Sequence, residues 1–250
     1  MGKYDSTKTR VTPLFNFINS DPIKLNTFFS VFGKIISCEK NSKVKIYYGE
    51  NEAKIQASKS MLIWMLENPK KLNRPNDHGE NDRNSSTFKK RELLFSGDSE
   101  TLAEAIDSIN KMPKDAKIKW YILEGKTSPD IYIETEDAIF IGEAKRTEKK
   151  ITTKTRWLKN RDQLIRHIDS QLDQPKKIYS FYLLEKKYFE KYYKHSMQKY
   201  YDEDYFKSNL EHRNDELIDR AFNSFIGIAF WEDLSELFKL DFPDTVTTVR

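Results

Sequence analysis

The stretch Ser128-Pro129-Asp130-Ile131-Tyr132-Ile133-Glu134-Thr135-Glu136-Asp137-Ala138-Ile139-Phe140-Ile141-Gly142-Glu143-Ala144-Lys145 decides the fold. Two short apolar runs, Ile131 to Glu134 and Ala138 to Gly142, flank a polar turn at Thr135, Glu136 and Asp137. That pattern predicts a β-hairpin. Asp130 begins one strand, while Glu143 and Lys145 end its neighbour, so the hairpin brings them close. Glu143 and Lys145 are two apart and face the same side of a strand. Two acids and a lysine at one strand end can hold a hard cation beside a fixed positive charge, a setting suited to phosphodiester hydrolysis.

The triplet Glu143-Ala144-Lys145 carries little information by itself. Glu52, Asp115, Glu124, Glu148 and Glu185 also begin an acid-x-Lys triplet. Only Glu143 ends an uninterrupted apolar strand, and only it has a Pro-Asp strand start one hairpin upstream. Both faces of the 138–142 run are apolar, the mark of a central, covered strand. An acid and a lysine side by side there need a chemical reason, whereas ordinary hairpin ends would be solvated.

Pro129-Asp130 and Glu143-Ala144-Lys145 together resemble the motif of the PD-(D/E)XK nuclease superfamily, which includes many restriction endonucleases. The resemblance covers about residues 98–185 and implies a core of helix, three strands, helix, strand. The chain offers those elements in order. Ser99 to Lys111 reads as a helix with Leu102, Ala105, Ile106 and Ile109 on one side, Asp98 or Ser99 as its N-cap and Pro113 beyond its end. Lys117 to Glu124 reads as a first strand, followed by the hairpin. Arg161 to Leu172 reads as a second helix with Leu164, Ile165, Ile168 and Leu172 inward, and Lys177 to Leu184 as a fourth strand. The expected fold class is therefore α/β, a restriction-endonuclease-like core with a mixed central sheet flanked by helices, plus a helical N-terminal subdomain.

The resemblance implies a chemistry. Asp130 and Glu143 would hold Mg²⁺, with Mn²⁺ as a substitute, and the Ala144 carbonyl would add an oxygen ligand. Lys145 would orient or help deprotonate the attacking water and contact the scissile phosphate. A further acid on the first helix is frequent in the family. Glu100 and Glu104 are candidates, but both lie opposite the apolar stripe and read better as solvated surface; Glu92 is a third. On the second helix, Gln163 and His167 are one turn apart and share a face. They read either as groups near the site, with His where some branches carry Tyr, or as a plain polar face. Arg146, Lys149, Lys150, Lys154, Arg156, Lys159 and Arg161 read as a phosphate-contacting loop entering a DNA cleft.

Composition bounds the remaining possibilities. The chain has 250 residues, 43 Lys and Arg against 39 Asp and Glu, and a net charge of +4, so it is no polycation. A single cysteine, Cys38, excludes an internal disulfide framework and fits an intracellular, cytoplasmic setting. No run approaches membrane-spanning length. His78, His167, His195 and His212 show no metal-ligand spacing, and Cys38 reads as a buried structural thiol. Gly125-Lys126-Thr127 is not the end of a phosphate-binding loop, because Trp120 stands where its first glycine is needed.

Outside the core, residues 12–37 read as helical, opened by Pro13 and again by Pro22. Lys43 to Tyr48 alternates as a strand, Asn51 to Asn68 reads as a helix, and residues 72–86 as a polar loop. The expected organisation is an N-terminal subdomain over 1–70, a polar linker and lead-in over 71–97, and a nuclease core with a helical extension over 98–250. Lysines and tyrosines interleave from Lys186 to Lys207. They could stack on single strands, but helical spacing with mixed acids favours helices packed on the sheet. Phe225 to Trp231 reads as a buried strand and Glu232 to Leu240 as a closing helix. The leading functional expectation is a Mg²⁺-dependent endonuclease for double-stranded DNA of the restriction type, possible as a homodimer. A structure-specific or repair nuclease and a catalytically silent nucleic-acid-binding module stand as alternatives.

Overall fold

Five strands form one mixed sheet in the order β1-β2-β3-β4-β5: Lys45–Tyr48, Ile131–Glu134, Ala138–Ala144, Lys177–Leu184 and Phe225–Phe230. The β1/β2 and β2/β3 pairs are antiparallel, whereas β3/β4 and β4/β5 are parallel. This computed structural model describes residues 5–33, 43–76, 83–113 and 119–245. Cys38, His78 and the first residues of the expected 117–124 strand lie outside them.

Alternation along the strands sorts side chains onto two faces. Ile131, Ile133, Phe140 and Phe181 face one core, closed by Leu14, Phe15 and Ile18 of α1 (Thr12–Ile18) and by Leu25, Phe28 and Phe29 of α2 (Pro22–Ser30). Tyr132, Ile139, Ile141 and Tyr182 face the other, closed by α6 (Gln163–Asp169) and by Tyr193, Tyr200 and Phe206 of the C-terminal segment. Every residue of β3 is buried, as expected of a strand covered on both sides. Phe29 stacks on Phe140 with ring centroids 4.1 Å apart. Gly142 lets Phe181 approach; a Cβ there would lie 2.5 Å from that ring.

A third core joins α3 (Lys59–Glu67), α4 (Ser86–Ser96) and α5 (Ser99–Asn110), through Met61, Met65, Leu94, Ala105 and Ile109, with Trp157. The boundaries expected near residues 70 and 97 fall inside this cluster. The 1–70 segment also supplies β1 to the sheet and α1 and α2 to its first core.

The hairpin, the strands near 177–184 and 225–230 and helix α5 form where the sequence predicts them. Asp98 caps α5 through the Thr101 N–H at 2.7 Å. The tyrosine-rich segment forms short helical elements, α7 (Lys186–Tyr188) and α8 (Glu203–Asn209) among them, that bury Tyr193 and Tyr200 on the sheet. The closing helices are α9 (Asp215–Phe222) and α10 (Trp231–Phe238).

Several expectations are corrected. Residues 119–124 form a turn and loop rather than a strand, because Ile122 and Leu123 are drawn into the helical core and Glu124 is held by Arg161. β1 takes the sheet position beside β2, with Ile46 opposite Ile133. The helix expected from Asn51 begins only at Lys59. Ser58 caps it through the Met61 N–H, and Ile55 pairs backbone-to-backbone with Thr127 instead. The helix expected over 161–172 is shorter, capped by Asp162, whose carboxylate accepts from the Leu164 and Ile165 N–H groups. α4, within the expected linker, was hidden by its polar sequence; Ser85 opens it and Gly97, at φ 90°, closes it.

Candidate active site

The antiparallel register of β2 and β3 sets Ile131 opposite Gly142. One residue further out, the same register sets Asp130 opposite Glu143. The Ala144 N–H donates to Asp130 Oδ2 at 2.8 Å, which fixes the carboxyl at the strand end. Glu143 is 0% exposed and lies on the face covered by α6. Its Oε2 accepts from Lys145 Nζ at 3.1 Å and its Oε1 from His167 Nε2 at 2.7 Å. A carboxylate can only accept, so the proton of that second bond belongs to the imidazole. His167 Nδ1 then meets Thr127 Oγ1 at 2.7 Å, and Thr127 is anchored by its backbone pairing with Ile55. The hairpin thus presents the carboxylates and the ammonium, and α6 orients one of them from behind.

The electrostatics are unbalanced. Burial, and then the nearby Glu143, push Asp130 up to about 8, against the opposing pull of Lys145. Burial also disfavours charge on Glu143, but Lys145 and His167 outweigh it and hold its carboxyl below the ordinary range. Burial works against charge on Lys145, yet Glu143 and Asp130 hold its ammonium above the ordinary lysine value. Glu52, on the segment after β1, is pushed up by burial, then by Glu143 and by Asp5. It is the acid that reading the sequence missed. Its signal was an acid-x-Lys triplet shortly after a predicted strand, the same form as Glu143-Ala144-Lys145. Glu52 and Asp5 also line a cleft of about 1000 Å³ beside α1 and β1.

The other expected acids are elsewhere engaged. Glu92 pairs with Arg74 at 2.8 Å and Glu104 with Lys90 at 2.6 Å; Glu100 is exposed in the first turn of α5. Of the expected DNA-contacting residues, Lys154 and Gln163 line a small cleft that borders His167, and Arg156 is exposed. Two are corrected. Arg161 is 1% exposed and bonds Glu124 and Asp169 at 2.7 Å each, so it braces the interior. Arg146 is buried against Glu185 at 2.7 Å, Thr9 Oγ1 at 3.1 Å and the Asp244 carbonyl at 2.7 Å, on the far side of the sheet end. His167 faces Glu143 rather than solvent.

Among the described residues no group of three or more His, Cys, Asp and Glu is arranged to hold a metal. The local donor set is the carboxylates of Asp130 and Glu143 and the carbonyl of Ala144, to which Ser6 Oγ donates at 3.3 Å. All are oxygen, the donor chemistry of hard cations that keep part of their water shell. The mutual repulsion of the two carboxylates is what such a cation relieves. No helix among the described residues is long and apolar enough to cross a membrane. No family model, no curated protein and no solved structure matches this chain.

Proposed function

We propose that this chain is a Mg²⁺-dependent endonuclease that hydrolyses phosphodiester bonds of double-stranded DNA in the manner of restriction enzymes. The observation that carries the reading is the convergence of Asp130, Glu143 and Lys145 at one strand end, with Asp130 raised to about 8 and Lys145 held charged. The sheet supports it in part: β1, β2 and β3 are antiparallel neighbours, and α6 then leads to the parallel β4, although α3, α4 and α5 intervene between β1 and β2.

Asp130, Glu143 and the Ala144 carbonyl would hold the cation. When bound it would lower the pKa of a water and offset charge on the phosphate. The remaining work falls to the chain. An ammonium raised above the ordinary lysine value does not take a proton at neutral pH, so Lys145 acts as a donor. It steadies the attacking water and the charge that grows on the phosphate oxygens. His167, buried and tied to Thr127, fixes the rotamer of Glu143 and is a positioning residue. Lys154, Arg156 and Gln163 contribute contacts to the strand, and a homodimer would cut both strands.

A specific feature favours a second reading, a catalytically silent nucleic-acid-binding module. Both oxygens of Glu143 are already taken, by Lys145 and His167. One assay separates the readings: supercoiled plasmid and long linear DNA with the purified protein, in Mg²⁺ and in EDTA, beside Lys145→Ala. The expected result is discrete fragments that require the metal, with a rate about 10²–10³-fold lower in the variant. DNA bound but uncut in Mg²⁺ would replace the endonuclease with the silent module.

A further inference from the structure

A cleft of about 270 Å³ lies directly behind His167. Lys126, Lys154, Arg166, Gln163, Ser128 and Thr152 line it, and no carboxylate is among its lining residues. That is unusual in a chain whose acids nearly equal its bases in number. Arg161 also lines it and is fully paired with Glu124 and Asp169, but its other cations are poorly satisfied. Among the described residues the Lys126 and Lys154 ammonium groups and the Gln163 side-chain amide have no hydrogen-bond or ion-pair partner. Arg166 Nε is buried without a hydrogen-bond acceptor. Its nearest acid, Glu124 at 3.5 Å, is already held by both Nε and Nη2 of Arg161. Arg166 Nη2 reaches only the carbonyls of Gly125 and Lys126.

The walls are fixed before any ligand arrives. Thr127 N–H and C=O both pair with Ile55 at 2.8 Å, which holds the 126–128 wall. The opposite wall is held by Arg161 N–H to Thr153 C=O, Gln163 N–H to Thr152 C=O and Thr155 N–H to Leu158 C=O, each at 2.9 Å. A preformed pocket of donors, with cations from three separate segments, recognises a multiply charged oxyanion. The Thr127–His167 pair forms part of its lining, and that same imidazole holds Glu143, so an anion here sits beside the candidate active site and not on it.

We propose that this cleft is a phosphate subsite, which takes a phosphate of the substrate strand neighbouring the one that is cut. The assignment rests on the nuclease reading for the identity of the strand, while the anion site rests on the cleft alone. The phosphate has two possible sources, an internal phosphodiester or a terminal phosphate monoester, and they present the same oxygens.

The test is binding, measured in EDTA so that no strand is cut. Fluorescence anisotropy of a short duplex, bearing either a 5′-phosphate or a 5′-hydroxyl, is compared for the wild type and Lys126→Gln/Lys154→Gln. Inorganic phosphate serves as competitor. Both lysines are solvent-facing, and an unchanged thermal midpoint verifies that the variant is folded. The expected result is affinity about tenfold weaker in the variant, with the salt dependence reduced by about one unit of slope, and displacement of the duplex from the wild type by inorganic phosphate. Equal losses on both duplexes identify an internal phosphodiester; a loss confined to the phosphorylated duplex identifies a terminal monoester. Equal affinity of wild type and variant for both duplexes overturns the subsite, whether or not the enzyme cuts DNA. So does a wild type that binds neither duplex nor inorganic phosphate. If phosphate binds the wild type and not the variant while no DNA is cut in Mg²⁺, the subsite stands and the nuclease reading falls.

Discussion

Two carboxylates, the half-buried Asp130 and the buried Asp169, meet opposite electrostatic fates although burial disfavours charge on both. Asp169 is 0% exposed and accepts from Arg161 Nη2 and Arg213 Nε at 2.7 Å and from His212 Nε2 at 2.9 Å. Burial opposes its charge, but Arg161, His212 and Arg213 hold its carboxyl far below the ordinary range. Asp130 has one backbone N–H as partner and shares its single close ammonium with Glu143. Burial and that second acid leave it at about 8. The difference lies in the balance of charges. Around Asp169 cations and donors exceed the acids; around Asp130 acids exceed the cations. The first cluster is closed and braces the interior. The second is left short of positive charge at a strand end, where a cation can supply it.

The comparison is broken most forcefully at the closed cluster. Arg161 ties Glu124 to Asp169, and Arg161→Met strands both acids in the interior. Removing one partner of a buried pair costs about 3–5 kcal/mol. We expect the urea midpoint to fall accordingly. A variant as stable as the wild type, but weak in DNA binding, would return Arg161 to the role its sequence position suggested.

The open cluster responds with the opposite sign. Asp130 is raised in the folded state, so the native chain holds this proton more tightly than the unfolded chain. Below pH ~4 both states are protonated and there is no penalty. As pH rises from there to about 8 the unfolded chain releases its proton freely, and metal-free stability declines across that window. Asp169 acts in reverse: its contribution is present above the ordinary carboxylate range and is lost as pH falls through and below it. Asp130→Asn removes the penalty. It is expected to stabilise the metal-free protein by about 1–3 kcal/mol at pH 9, a fraction of the full shift because solvent reaches part of the carboxyl. On the endonuclease proposal, the same change is expected to abolish metal-dependent cleavage. Equal unfolding free energies for wild type and variant at pH 9 would remove the electrostatic strain from the account.

The hairpin was legible because its information is local: a period-two apolar run, a polar turn, and charged residues at fixed offsets. The site was legible only where it used the hairpin. Asp130, Glu143 and Lys145 follow from register within sixteen residues of chain, whereas Glu52 reaches the same cluster from the segment after β1. Pairing of β1 with β2 spans more than eighty residues and leaves no trace in either segment alone. Lys117 to Glu124 had as good an apolar pattern as Lys43 to Tyr48, and tertiary packing chose between them. Loop cations misled for a related reason. Arg146 and Arg161 sit among exposed lysines in sequence, but a planar guanidinium suits several buried acceptors at once: Arg146 reaches Glu185, Thr9 and the Asp244 carbonyl, and Arg161 pairs bidentately with Glu124.

Glu52 allows the finest division of the two clusters. It stands with Glu143 and Asp5 on the acidic side of the site, and it contributes, after burial and Glu143, to the raised Asp130. Glu52→Gln removes one negative charge from that surplus without adding a cation. The expected effect is small: the titration of Asp130, followed by its carboxyl ¹³C shift, moves down by a few tenths of a unit, about 0.5 kcal/mol or less. Glu104→Gln serves as control, because Glu104 pairs with Lys90 on the surface and exposed pairs contribute little. It should leave the Asp130 titration in place. If both variants move Asp130 equally, the general field of the protein sets its charge and Glu52 has no place in the site. If only Glu52→Gln moves it, the surplus that separates the open cluster from the closed one extends beyond the hairpin to a third acid.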